Sequence, residues 1–356
     1  MHRAWTSRVS HRLRGAALAG SILFVLTPAI ASAITFTESQ TALDFGAAFP
    51  SVGEIRIQEN GASTFGLCSG TLVAPTVVVT AEHCFRDDNN FLTDGDASTD
   101  PGAPLYDVTV DFGGDIRTAT RISTAGEISN QTATTDTLLN GSDLAILEFE
   151  TPVTSIAPSS IYDGTLVGGQ DNLAIVGFGR NGSGESGYSG IDFQKRAAGN
   201  AFDLSGEAFS NVADNVLITD FDDGTEANNA NDNFFLFFDG TSLVFSESSA
   251  TPLDGSLFGN VVDGIVEGNS APGDSGGGVF VYLPTENTFR LVAVVSGGQP
   301  FSEFGTQSFH TSFFFGENRA FVDAFITAAA QVPLPPAALL LGAALLALHA
   351  RRTRVL

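Results

Sequence analysis

Between residues 52 and 315 the apolar positions fall in short runs separated by Gly, Asn, Asp and Ser. Runs at 54–58, 76–80, 106–112, 144–149, 173–178, 234–238, 261–266, 278–282 and 291–296 are rich in Val, Ile, Leu and Phe and are bounded by turn-forming residues, which predicts strands. Many short strands with turns between them predict an all-β body, either a sandwich or a pair of barrels. Only residues 317–330 carry a strong helical pattern, with Ala320, Phe321, Ala324 and Phe325 on one face. Polar stretches at 87–101 and 179–233 read as solvated surface loops. The second holds Asp220, Asp222, Asp223 and Glu226, oxygen ligands of the kind Ca²⁺ takes, without the spacing of an EF-hand loop. A structural calcium is therefore left open and the metal ligands stay unknown. A composition shift across Pro152 to Pro158 is the best boundary between two halves.

The two ends differ from this body. Arg3, Arg8, Arg12 and Arg14 precede an apolar run from 15 to 26, and Ala29, Ala31 and Ala33 follow Pro28. A basic, an apolar and a small-residue part in that order predict a secretory signal peptide over residues 1–33. At the other end Val332-Pro333-Leu334-Pro335-Pro336 leads into an apolar stretch from 337 to 350 and then Arg351, Arg352 and Arg354. That layout resembles the bacterial PEP-CTERM class of C-terminal sorting signals in its Val-Pro-Leu-Pro form. The resemblance implies that residues 331–356 form a sorting signal and transient membrane segment handled by processing machinery in the membrane. A plain tail anchor is the alternative, although the stretch is shorter than the roughly 17 to 25 residues of a comfortable spanning helix.

Setting both ends aside changes the electrostatics. Of 16 basic residues, four lie in the leader and three in the tail, leaving nine against 40 acidic residues, a net charge of −31. Such a body is unsuited to nucleic acid and suits an exported, soluble protein. The only cysteines are Cys68 and Cys84. In an exported chain an even pair reads first as a disulfide, with metal binding the weaker alternative.

Covalent catalysis by serine needs a base, a carboxylate to orient it, and backbone N–H groups for the oxyanion. Gly273-Asp274-Ser275-Gly276-Gly277 offers a serine in a glycine-rich turn, and outside the two ends only His83 and His310 are available as the base. His83 closes the stretch Gly70-Thr71-Leu72-Val73-Ala74-Pro75-Thr76-Val77-Val78-Val79-Thr80-Ala81-Glu82-His83-Cys84. That stretch resembles the trypsin-like, chymotrypsin-fold serine peptidases, as do Gly141-Ser142-Asp143-Leu144-Ala145-Ile146-Leu147 and Gly273 to Gly277. The likeness runs from about Phe49 to Ala330, with His, Asp and Ser in the family's order.

The resemblance implies two six-stranded antiparallel barrels with a C-terminal helix, residues 34–155 forming the first barrel and 156–330 the second barrel and helix. It implies a secreted, monomeric serine endopeptidase acting on protein or peptide substrates without a cofactor. Ser275 would be the nucleophile, His83 the base and Asp143 its partner. Gly273 and Ser275 would supply the oxyanion N–H groups, Ser296, Gly297 and Gly298 would line the substrate, and Cys68 and Cys84 would bridge. The pocket-floor position is Asn269, which predicts an uncharged residue at the cleaved position. Ala271 replaces the cysteine of a common second disulfide, and Glu82 replaces a small residue before the histidine. Cleavage after Ala33 would free Ile34, whose ammonium could sit beside Asp274; cleavage after Ala31 fits the same small-residue pattern, and Asp274 would then have another partner. Two rival readings are an esterase using Glu303 and His310 with Ser275, and a non-catalytic surface or matrix-binding protein on a peptidase fold.

Overall fold

A computed structural model describes residues 34–36, 39–59, 62–85, 106–125, 140–166, 172–206, 212–221, 267–313 and 316–331. The leader, the C-terminal tail, the insertion at 87–101, Asp222, Asp223, Glu226 and the runs at 234–238 and 261–266 lie outside them. No helix among the described residues is long and apolar enough to cross a membrane.

The chain enters through β1 (Ile34–Phe36) and α1 (Ser39–Ala47), then forms β2 (Val52–Glu59), β3 (Gly66–Ala74), β4 (Val77–Thr80), β5 (Tyr106–Asp111), β6 (Ile116–Thr118), β7 (Arg121–Thr124) and β8 (Ala145–Glu148). The last seven make one antiparallel sheet in the order β6-β5-β2-β3-β4-β8-β7. The second half supplies β9 (Asn172–Gly177), β10 (Asn181–Ser183), β11 (Gly187–Gly190), β12 (Arg196–Ala201), β13 (Leu204–Ser205), β14 (Val216–Phe221), β15 (Gly268–Asn269), β16 (Gly278–Leu283), β17 (Thr288–Gly298) and β18 (Thr306–Ser312). Seven of these form the antiparallel sheet β12-β9-β16-β17-β18-β14-β13, and helix α2 (Gly316–Ala330) follows. Two curled antiparallel sheets and a closing helix are the double-barrel, all-β architecture that the resemblance implied, with seven strands rather than six in each sheet.

The burial pattern explains the curl. Each sheet has its own apolar interior: Ile55, Leu72, Val78, Val110 and Leu147 in the first, and Leu173, Ile175, Val279, Val292 and Val295 in the second. The opposite faces meet in a shared core of Val52, Val77, Val79, Ile146, Val176, Phe280 and Val294, joined by Phe45 of α1 and Val322 of α2. Strands buried on both faces read as continuous β-branched runs, which is why 76–80 and 291–296 were legible.

Two expectations needed correction. The polar stretch 179–233 was read as a loop, yet it carries β10 to β14. After its leading Arg196, the strand Arg196–Ala201 is built from Ala, Gly and Asn, residues poor in intrinsic strand preference, and it is held by pairing along its whole length with β9. Helix α1 was not expected because its apolar stripe is short, with Ala42 and Phe45 buried one turn apart.

Candidate active site

The three residues that the sequence singled out for catalysis come from three separate elements. His83 stands on the 3₁₀ turn Glu82–Phe85 immediately after β4. Asp143 precedes β8, in a segment tied down through Gly141, whose carbonyl accepts from Asn215 Nδ2 and from Asn318 Nδ2 of α2, both at 2.8 Å. Ser275 lies in the turn between β15 and β16. The structure brings them into one hydrogen-bonded line: His83 Nδ1 is 2.7 Å from Asp143 Oδ2, and His83 Nε2 is 2.8 Å from Ser275 Oγ. Asp143 also accepts from the His83 backbone N–H at 2.8 Å, and its side chain is wholly buried whereas that of His83 is 34% exposed. A carboxylate only accepts, so Nδ1 carries the proton and Nε2 is left to accept from the serine hydroxyl.

The turn around Ser275 is held by Ser69 of β3, a residue the motif reading did not weigh. Its N–H donates to Ser275 O at 2.8 Å, its hydroxyl donates to Gly273 O at 2.9 Å, and the hydroxyl oxygen accepts from Phe178 N–H at 3.0 Å. Gly276 has φ +79°, and a Cβ there would meet Thr80 Oγ1 at 2.0 Å, so this turn closes only with glycine. Gly273, with φ +104°, lies against Gly179 and Leu67. The N–H groups of Gly273 and Ser275 have no acceptor among the described residues, the condition an oxyanion site requires.

A family model described as Trypsin matches residues 45–231, just over half of the chain. The chain belongs to the trypsin family. The match ends ahead of Ser275, whose placement comes from the geometry above. A search of curated proteins returned no match. Trypsin-like proteins are serine peptidases that act on proteins or peptides and need no cofactor. Among the described residues there is also no group of three or more His, Cys, Asp and Glu side chains placed to hold a metal ion.

Other predicted residues of this trypsin-family site lie as follows. Cys68 and Cys84 form a disulfide with Cα atoms 6.3 Å apart, pinning the His83 turn to β3. Closing a 16-residue separation contributes about 3 kcal/mol. Reduction is therefore expected to lower the thermal midpoint and the peptidase rate together, read by melting curves and turnover with and without reductant. An unchanged rate would show that the bridge does not position His83.

Asn269 is fully buried rather than open to a ligand. Its Nδ2 donates to Thr306 Oγ1 at 2.9 Å, and its Oδ1 accepts from the Ser308 hydroxyl and from Ser270 N–H. Ser296 turns its hydroxyl inward to Thr311 Oγ1 at 2.6 Å, while Gly297 and Gly298 continue β17. Where the second disulfide was missing, the buried Ser302 hydroxyl donates to Ser270 O at 2.6 Å and ties the same wall. Glu82 is buried at the start of the histidine turn. His310 takes no part in this line; it is enclosed in the second sheet, 3.0 Å from Thr219 Oγ1, and burial pushes its pKa down to about 3. Among the described residues Ser275 Oγ is bonded to His83 and His310 to Thr219, so the esterase arrangement of Ser275, Glu303 and His310 does not form.

Ile34 of β1 pairs with Asn181 of β10, and the neighbouring Thr35 pairs with Asn269 of β15. Asp274 accepts from Gly179 N–H at 2.7 Å and from Ala271 N–H at 2.8 Å. Burial pushes its carboxyl up from 3.8 to about 7, offset in part by those two N–H donors and by the charge of Arg196. Because the folded value lies above the unfolded one, the folded protein holds a proton on Asp274 between pH 3.8 and about 7 that the unfolded chain has released. The stabilising difference is fully present below that window and is lost as pH rises through it. Asp274→Asn cannot titrate, so urea titrations from pH 4 to 8 should show wild type losing roughly 2 to 4 kcal/mol relative to the variant. A constant difference would contradict this. The variant should also lose activity, since its amide N–H₂ must face one of two N–H donors.

Proposed function

We propose that the protein is an exported serine endopeptidase working through His83, Asp143 and Ser275. As Ser275 Oγ attacks the scissile carbonyl carbon, His83 Nε2 takes the hydroxyl proton, and buried Asp143 stabilises the imidazolium that forms. The carbonyl oxygen becomes an oxyanion facing the N–H groups of Gly273 and Ser275. Collapse of this intermediate breaks the C–N bond, the proton passes from His83 to the leaving amine, and an acyl-enzyme remains. Water then attacks the acyl carbon and gives its proton to His83; collapse breaks the acyl C–Oγ bond, Ser275 Oγ takes the proton back from His83, and the carboxylic-acid product leaves. The observation that carries this reading is the unbroken line Asp143–His83–Ser275 at 2.7 and 2.8 Å, ending in a turn with two N–H groups open among the described residues.

Among the described residues, β17 pairs with β16 only as far as Val294, so Ser296 to Gly298 present one open edge on which an extended substrate can lie. With Asn rather than a carboxylate at position 269, a cationic side chain finds no counter-charge there, which supports cleavage after uncharged side chains. The leader at 1–33 and the sorting-type tail at 331–356 support export and release or display at the cell surface. Incubating the purified protein with a mixed peptide library and mapping new termini tests the whole reading. Internal cuts after uncharged residues are expected. Cuts confined to Arg and Lys would contradict the neutral floor, and absence of any cut would favour a non-catalytic binding protein.

A further inference from the structure

We propose that a groove beside Gly273 receives the leaving-group side of the substrate and selects a large apolar side chain accompanied by a carboxylate, with Phe193 and Arg180 as the residues that set this preference. The proposal rests on the peptidase reading and adds a substrate class to it. The groove has a volume of about 460 Å³ and is lined by Phe65, Leu67, Arg180, Ile191, Phe193 and Gly273, among others.

Its side of the active site follows from the chain path. The wall formed by Phe65 and Leu67 runs directly into Cys68, which is bonded to Cys84 next to His83. In the mechanism above His83 protonates the departing amine, so a groove on the His83 side of the Gly273 turn lies where the departing segment emerges. Its floor is positioned with the catalytic turn: Arg180 N–H donates to Pro272 O at 2.8 Å, and the preceding Gly179 N–H donates to Asp274.

Two features point to the occupant. Ile191 and Phe193 are each 40% exposed, and Phe193 adopts φ +59°, a conformation that a bulky side chain rarely takes. Its ring stands 5.8 Å from that of Phe65, and the Arg56 guanidinium covers both, at 4.9 Å from Phe65 and 5.5 Å from Phe193. An exposed apolar pair held in a strained backbone is suited to an apolar side chain. The second feature is charge. Arg56 is matched by Glu54 at 2.5 Å, and Asp192, between the two apolar residues, is engaged by Arg196 through both oxygens at 2.7 and 2.8 Å. Arg180 stacks on Tyr188 at 5.8 Å and has no carboxylate partner among the described residues, in a chain with 40 acidic and 16 basic residues. A carboxylate on the substrate supplies that partner.

The test uses internally quenched peptides of one acyl-side sequence, with Phe or Ala directly after the cleaved bond and Glu, Gln or Lys at the next position. Wild type is expected to favour Glu over Lys by about threefold to tenfold in kcat/KM, the range of a partly exposed ion pair together with loss of a like-charge contact. It should favour Phe over Ala by about tenfold or more. Arg180→Glu should reverse the Glu-to-Lys order, and Phe193→Ala should reduce the Phe-to-Ala ratio. Both are ratios within one variant, so a general loss of activity does not move them. Equal rates for Glu and Lys in wild type, or an unchanged order in Arg180→Glu, would overturn the proposal. An ester with the same acyl side and no residue beyond it reports separately on the peptidase reading. If the ester is not turned over, equilibrium binding of Phe-Glu-Ala-amide against Phe-Lys-Ala-amide still decides the groove, and equal affinities would overturn it.

Discussion

Replacing Ser275 by alanine is expected to lower kcat on a peptide substrate by about 10⁶-fold, the loss seen when a serine nucleophile is removed from an intact triad. The fold should survive. The Ser275 hydroxyl is linked to His83 Nε2, whereas the turn is anchored through backbone, by Ser69 N–H on Ser275 O and by Gly276 N–H on Val295 O. None of those bonds involves the atom removed, so the thermal midpoint should stay within about 2 °C of wild type. Residual turnover above about a tenth of the wild-type rate, with the fold intact, would remove Ser275 from the nucleophile role.

Asp143→Asn should cost about 10⁴-fold in kcat at neutral pH while leaving the volume of the site unchanged. Asp143 accepts two hydrogen bonds from the same residue, the His83 backbone N–H and Nδ1–H. Asparagine has one acceptor oxygen and an N–H₂ group. If the oxygen serves the backbone, the N–H₂ faces Nδ1, which must then become the acceptor, and Nε2 carries the proton opposite Ser275 Oγ. An imidazole in that tautomer cannot take the serine proton. Steady-state rates of both proteins on one substrate check this, and a loss smaller than about tenfold would mean that Asp143 does not govern the imidazole.

The grouping of these three side chains was legible because three short motifs each combine a reactive side chain with the backbone that presents it. A β-branched run ends at His83, a turn-to-strand start contains Asp143, and glycines flank Ser275. What holds the motifs together was not legible. Ser69 bonds residues far along the chain, at Phe178 and at the Gly273–Ser275 turn, and nothing local distinguishes it from any other serine in a strand. The same is true of Ser302, whose buried hydroxyl donates to Ser270 O, and of Asn318, which reaches from α2 to the Asp143 segment. Each gains its role only when distant strands are paired.

The fold shows the same division. Runs such as 76–80, buried on both faces, announce themselves by composition. The strand Arg196–Ala201 does not, since its residues become a strand by pairing with β9 and by packing against α1, where a Cβ on Gly46 would come within 2.7 Å of the Arg196 backbone. Asn269 was read from the sequence as a pocket-floor position; that its side chain is buried in hydrogen bonds that support the wall is a property only the folded neighbours Thr306, Ser308 and Ser270 reveal.

The most direct test is labelling of the purified protein with a fluorophosphonate, which phosphonylates a serine only where its hydroxyl is activated and fluoride can leave. Peptide mapping by mass spectrometry should locate one adduct, on Ser275, that is absent from Ser275→Ala and forms far more slowly in His83→Ala. An unlabelled protein, or an adduct on another serine with Ser275 unmodified, would contradict the account.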